Sequence, residues 1–323
     1  MANKKSDGFS QVAVTALKKH ASKASTKTKS GNRVAITNPT SLKTLDLDLR
    51  PGQSIELLKE LHILTRDGKI NQDSRRKLKQ VYHLYQFIEK LLQELPVSDS
   101  GPALADHGAG KSYLGFILYD LFFKPLGKGE IYGIETRGEL VAASQALAQR
   151  LGFDRMHFLN TSVADSANSQ ALPEQFDVVT ALHACDIATD DAIDFGLQKH
   201  ARHMVLVPCC QAELAASLRQ NKVFDLKRTP LAELWRHPLH TREIGSQLTN
   251  VLRCLYLEAM GFQVTVTELV GWEHSMKNEL ILAEFTGQPK RTSAMRLQAL
   301  LEEFGLKDVQ ALRYPSLSLE TEQ

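Results

Sequence analysis

The sequence predicts an α/β fold: a doubly wound parallel sheet, with a helical extension before it and a hairpin-like strand pair at its end. Three observations predict it. Short apolar runs alternate with helical runs from Pro102 to Pro208, the pattern of a parallel sheet flanked by helices. A glycine turn, "DHGAGKS", follows the first of these runs. After a long helical stretch, two more apolar runs follow each other across a short connector, "GWEHSMKN".

Taken in order, residues 1–40 carry Lys4, Lys5, Lys18, Lys19, Lys23, Lys27, Lys29 and Arg33 against one acid, Asp7. With almost no aromatics, this segment cannot bury enough apolar area to offset its ordering entropy, and it reads as a disordered basic arm. Residues 41–97 form a helical N-terminal extension. Ser54 is placed to cap a helix that runs towards Gly68, and a second helix with apolar residues at helical spacing closes at Pro96. That helix opens on Arg75, Arg76, Lys77 and Lys79, either a solvated face or a basic entrance to a groove. A domain over 98–288 follows. Its expected strands are Ala103–Asp106, Glu130–Glu135, Met156–Asn160, Phe176–Leu182, His203–Pro208, Gln263–Val270 and Glu279–Phe285. A helical insertion at about 226–261 separates the fifth from the sixth. A terminal hairpin makes the last strand antiparallel, which is characteristic of the Rossmann-like, seven-stranded sheet of class I methyltransferases. Residues 289–323 are a C-terminal helix and a polar tail, expected to fray from Pro315.

The loop Gly108-Ala109-Gly110-Lys111-Ser112 nearly completes a phosphate loop, but Ala105 stands where that motif needs glycine. A nicotinamide fingerprint would need a third glycine where the chain has Tyr113. S-adenosylmethionine (SAM) has no pyrophosphate and asks less of the loop. Glycines must let the backbone approach, and an acid must lie near the ammonium. Asp106, His107, Gly108 and Gly110 supply both. Glu135 ends the second strand, where a carboxylate can accept both ribose hydroxyls. Ser162 and Val163 lie where adenine is held, and Leu182 closes the fourth strand beside them. SAM is therefore the expected cofactor.

Two stretches leave the carboxyl ends of strands four and five, "LHACDIATDDAI" and "VPCCQAEL". Together with "GAGKSYL" they resemble the SAM-dependent methyltransferase domain of the methyltransferase-like and glutathione-S-transferase-C-terminal-domain-containing proteins. That domain is also related to the eukaryotic tRNA acceptor-stem 2′-O-methyltransferases. The resemblance spans about residues 74–286. Ser112 and Asp186 stand where the family often has glycine, and Gln211-Ala212 where it often has an aromatic or histidine pair. The resemblance implies the fold and SAM; it does not name the substrate.

Four chemistries compete for Cys185, Cys209 and Cys210. They could be buried and structural. One could be a nucleophile activated by His183. They could join His183 around zinc, although no C-x-x-C pair is present and no metal is expected. Or they could flank an in-line transfer to oxygen or nitrogen, with His183, Asp186 and Gln211 orienting the acceptor and taking its proton. The basic arm, the basic helix start and the patch Arg236, His237, His240 and Arg242 favour structured RNA, tRNA or rRNA, as substrate. A protein or small-molecule substrate, a protein partner, or a scaffold that has lost catalysis are the alternatives. No apolar run is long enough to span a bilayer, no signal peptide is evident, and the cysteine spacing is not that of a secreted scaffold. The expected setting is the cytoplasm.

Overall fold

The computed structural model describes residues 49–182, 186–208, 213–221 (219–221 by backbone alone), 233–234, 236–269, 279–306, 308–309, 313–314 and 317. The basic arm, the opening of the insertion and the connector after the sixth strand lie outside them.

The extension is shorter in its first helix than the sequence suggests. Ser54 caps α1 (Ile55–Glu60), its hydroxyl accepting from the Leu57 amide at 3.2 Å. The helix stops eight residues before Gly68 because His62 takes φ 56°. The amides of His62 and Ile63 turn back to the carbonyls of Lys59 and Leu58, a helix stop usually built with glycine. Helix α2 (Gln72–Glu94) is capped by Asn71 and buries Leu78, Val81, Leu84, Tyr85, Ile88 and Leu92. Arg75, Arg76, Lys77 and Lys79 stand on its exposed side.

Seven strands form one sheet: β1 (Ala103–His107), β2 (Glu130–Glu135), β3 (Met156–Asn160), β4 (Val178–Leu182), β5 (His203–Val207), β6 (Phe262–Glu268) and β7 (Glu279–Phe285). Their order is β3-β2-β1-β4-β5-β7-β6. The first five are parallel, and β7 is antiparallel to both β5 and β6. Alternate residues point to opposite faces of a strand, yet Leu104 and Ala105, and Val178 and Val179, are all buried. Helices therefore cover both faces, which is why these strands read as continuous apolar runs.

Between the strands run α3 (Tyr113–Leu118), which continues through a π-helical turn (Tyr119–Phe123) into α4 (Lys124–Leu126), then α5 (Gly138–Leu151), α6 (Val163–Ser166), α7 (Ile187–Gln198), α8 (Glu213–Asn221) and α9 (Pro238–Ala259); α10 (Arg291–Glu303) follows β7. The π turn presents Asp120 to the extension. Its carboxylate accepts from the Gln53 side chain at 2.5 Å and the Ser54 amide at 2.8 Å, fastening α1 to the sheet domain. At the other end the expected fraying is not seen at Leu317. Leu306, Tyr314 and Leu317 are each 2% exposed and belong to the core that α7, α9 and α10 build on the sheet. No helix among the described residues is long and apolar enough to cross a membrane.

The chain leaves β1 in one direction to β2 and β3, then crosses to β4 and β5 on the other side. Strand order thus reverses between β1 and β4. In open α/β sheets, the crevice at the carboxyl ends of such strands holds ligands.

Candidate functional site

The crevice begins at the turn after β1. Gly108 and Gly110 take φ 63° and 59°, and Ser112 takes φ 51°. The Ala109 amide bonds the Ile134 carbonyl of β2 at 3.2 Å, and the Gly110 amide bonds Glu135 Oε2 at 2.8 Å. The turn is therefore stitched to the end of β2 by two backbone donors. A Cβ built on Gly110 would meet only Arg137 Nη2 at 3.7 Å and the Gly108 carbonyl at 3.9 Å. These are ordinary van der Waals distances, so the turn is uncrowded and is overlain by the movable Arg137 side chain. Close packing of turn and helix is achieved at Gly115, where a Cβ would fall 2.5 Å from Ser112 Oγ.

Glu135 is the acid beside this turn. Burial alone would raise its carboxyl, but hydrogen bonds from the Arg137 side chain and backbone and from the Gly110 amide hold it down at about 2. It is ionised at neutral pH and acceptor-only, as a pair of ribose hydroxyls requires. Asn160, at the end of β3, donates to the carbonyls of Glu135 at 3.1 Å and Thr136 at 2.8 Å and so fixes the turn that carries the acid. Sequence reasoning missed Asn160, although a polar side chain closing a buried strand was the available signal. A positive-φ glycine turn and an ionised carboxylate at a strand end fit a nucleoside cofactor such as SAM. Glu135→Gln is expected to weaken binding of S-adenosylhomocysteine (SAH) about ten-fold, the loss of one charge-assisted hydrogen bond, read by titration calorimetry.

Asp106 and His107 lie beneath the turn. Asp106 is 2% exposed; Thr180 Oγ1 donates to its Oδ1 at 2.8 Å, and burial raises its carboxyl to about 7. His107 is fully buried with its ring 4.3 Å from that of Phe195. Neither ring nitrogen has a hydrogen-bond partner among the described residues, and burial lowers the imidazole to about 3. It is a neutral packing residue, and its contribution to the turn is through its backbone. Ser162 caps α6, its Oγ accepting from the Asp165 amide at 3.1 Å; Val163 is buried beside it, and Leu182 is half-buried at the end of β4.

His183, Cys185, Cys209, Cys210 and Gln211 lie outside the described residues, so the geometry leaves the four cysteine chemistries open. Cys254, the fourth cysteine, is on α9, where burial pushes its thiol up to about 12, away from thiolate chemistry. Among the described residues no group of His, Cys, Asp and Glu could hold a metal ion.

Asp186 is described, and it begins α7 at φ 55° and ψ −120°. This is the glycine-favoured conformation that opens a type II′ turn. Its Oδ1 accepts the Glu213 amide at 3.4 Å, so the residue that ends one loop holds the residue that ends the other. Its carbonyl accepts from Arg253 Nη2 at 2.8 Å. Arg253 is fully buried and grips Asp190 with two bonds, at 2.6 and 2.8 Å. It also donates to Asn250 Oδ1 at 3.2 Å, and Asn250 donates to Glu279 at the start of β7 at 2.6 Å. One guanidinium thus ties the flank of the loop after β4 to α9 and, through Asn250, to the start of β7. Sequence reasoning missed this network; a lone arginine in the apolar run "LTNVLRCLYLEA" was the signal.

The two positions where the chain departs from glycine, Ser112 and Asp186, are both at positive φ. Non-glycine residues there store roughly 1–3 kcal/mol of strain. Ser112 Oγ is also buried with no hydrogen-bond partner among the described residues. Ser112→Gly is therefore expected to stabilise the fold by about 1 kcal/mol, seen as a rise of about 2–4 °C in thermal unfolding.

Residues 76–217 match a family described as a methyltransferase domain. The matched domain runs from the start of α2 into α8 and so includes the glycine turn, Glu135 and both cysteine-bearing loops. Over 270 residues the chain is 24% identical to a glutathione S-transferase C-terminal domain-containing protein of Bos taurus, covering 76% of this chain and 38% of that protein. Among solved structures it is similar to an rRNA methylase from Streptococcus thermophilus, with TM-score 0.38, 11% identity, and 62% of this chain and 94% of that one covered. It is also similar to magnesium protoporphyrin IX methyltransferase from Synechocystis PCC 6803 with bound SAH, with TM-score 0.41, 15% identity, and 72% and 94% covered. The sheet order, with its antiparallel β7, is that of the Rossmann-like α/β methyltransferase fold.

Proposed function

We propose that this chain transfers a methyl group from SAM to structured RNA, tRNA or rRNA, with an oxygen or nitrogen as acceptor. The observation that carries the reading is the bond from the Gly110 amide to Glu135 at the reversal of strand order. It joins the glycine turn to an ionised acid at the reversal of strand order, which supports a nucleoside site there. When bound, SAM supplies an electrophilic methyl on a sulfonium. Glu135 would hold the ribose hydroxyls, the backbone of Gly108–Gly110 would meet the amino-acid end, and the Ser162–Val163 turn would lie against the adenine.

The acceptor would sit between the loops after β4 and β5. There Asp186, with His183 and Gln211 from the same loops, would orient it and take its proton. The bond from the Glu213 amide to Asp186 keeps the flanks of those loops together, which supports a shared acceptor site. Kinship to the tRNA acceptor-stem 2′-O-methyltransferases is part of this proposal, as is a cytoplasmic setting. Support for RNA comes from charge. Arg75, Arg76, Lys77 and Lys79 on α2, and Arg236, His237, His240 and Arg242 around the start of α9, are exposed except for Thr241 between them. Clustered Lys and Arg release counterions on meeting phosphates.

The experiment is transfer of labelled methyl from SAM to cell fractions from a strain lacking the protein, with and without ribonuclease. Label that ribonuclease removes supports the proposal. Label removed only by protease replaces RNA with protein as substrate. Binding of SAM without transfer to any fraction points to a partner subunit. Absence of both binding and transfer overturns the reading in favour of a scaffold.

A further inference from the structure

Glu135 is already saturated. Oε1 accepts from the Arg137 amide at 3.1 Å, Arg137 Nε at 2.9 Å and Thr136 Oγ1 at 3.3 Å. Oε2 accepts from the Gly110 amide at 2.8 Å and Arg137 Nη2 at 3.1 Å. A carboxylate offers about four lone-pair positions. Two ribose hydroxyls would bring two more donors to a group with no acceptor capacity left.

The donors differ in their freedom to leave. The amides of Gly110 and Arg137 are fixed, one by the glycine turn and the other by the β2–α5 turn that Asn160 holds. The Arg137 guanidinium is on a side chain that is 59% exposed. It lies over the turn, with Nη2 3.7 Å from where a Gly110 Cβ would project. Its two bonds go to the two oxygens of Glu135, the same two acceptors that a vicinal diol would use. Glu139, exposed in the first turn of α5, offers a second carboxylate for the guanidinium once it has swung out.

We propose that Arg137 is a latch on the nucleoside pocket: its guanidinium stands in for the ribose diol on Glu135 and must be displaced when a ribonucleoside binds. The inference rests on the cofactor reading above and deepens it, because it names the residue that sets nucleoside affinity. The latch keeps the empty carboxylate neutralised. Only the guanidinium end of this pair is exposed, at 59% against 6% for the carboxylate, so water and salt reach the arginine and it can leave while Glu135 stays in place.

The test is titration calorimetry of the full chain with SAH, adenosine and 2′,3′-dideoxyadenosine, comparing wild type with Arg137→Ala and Arg137→Gln at low and high salt. At low salt, both variants are expected to bind SAH and adenosine about two- to five-fold tighter than wild type. Wild-type affinity should rise with salt while that of Arg137→Ala stays flat. The dideoxy compound, which has no diol to compete for Glu135, should show no difference between the proteins. Variants that bind SAH as wild type does, or more weakly, would overturn the latch and leave the cofactor reading standing. If no protein binds SAH, both fall.

Discussion

Replacing Arg253 with methionine is expected to cost about 3–5 kcal/mol of stability, the usual penalty for leaving one partner of a buried ion pair without the other. Methionine fills much of the space, so the loss is electrostatic. Asp190 Oδ1 and Oδ2 lose both bonds to the guanidinium, and the Asp186 carbonyl loses a donor. Folded domains have only about 5–15 kcal/mol in total, so the variant should unfold at much lower urea. A cycle with Asp190→Asn separates the causes. If the buried charge dominates, Arg253→Met with Asp190→Asn will be more stable than Arg253→Met alone. If the two losses simply add, the ion pair is not the source. Arg253 also spans elements that the chain leaves far apart in sequence, the start of α7 and the middle of α9. Its removal should therefore loosen the flank of the loop after β4 as well as the core.

The second large effect is pH-dependent. Burial raises Asp106 from its ordinary 3.8 to about 7 in the folded chain, with the Thr180 hydrogen bond partly opposing. Between about pH 4 and pH 7 the folded protein keeps a proton that the unfolded chain has lost. Stability therefore falls with rising pH across this window and stays reduced above it. Asp106→Asn keeps an acceptor for Thr180 but has nothing to ionise. It is expected to be more stable than wild type by on the order of 4 kcal/mol at pH 8, with the advantage vanishing below about pH 4. Urea unfolding across that range reads it, and a difference independent of pH would refute the cause. A ligand ammonium approaching this acid would favour its charged form. The same variant should then bind SAH more weakly while being more stable, a trade-off expected of an acid kept for function.

The sheet was legible because its signal is local. Glu130–Glu135, Met156–Asn160 and Glu279–Phe285 are strands at the bounds the sequence suggests, as Gly138–Leu151 is a helix. Each is a run whose burial pattern repeats within a few residues. Tertiary events were not legible. Nothing at His62 announces a left-handed residue, so α1 was drawn too long. Nothing near Arg253 names Asp190, which is 63 positions away. Of the candidate site, the glycine turn and the place of Glu135 at a strand end were readable because both are matters of local backbone conformation. That Glu135 would be met by Arg137, two residues on, was not, because the pairing depends on how the β2–α5 turn curls back.

The burial of Leu317 bears on how the chain is made. The core on one face of the sheet combines Ala105 of β1 with Leu306, Tyr314 and Leu317. At ribosomal rates of roughly 5–20 residues per second, more than 200 residues separate their appearance, on the order of ten to forty seconds. Over that interval α7 and α9 cover the apolar face of the nascent sheet only in part. Because β7 inserts between β5 and β6, the earlier strand β5 must also keep an open edge until its neighbour emerges. A chain cut before Leu306 should therefore expose part of this core and give a soluble yield far below that of a chain that includes Leu317.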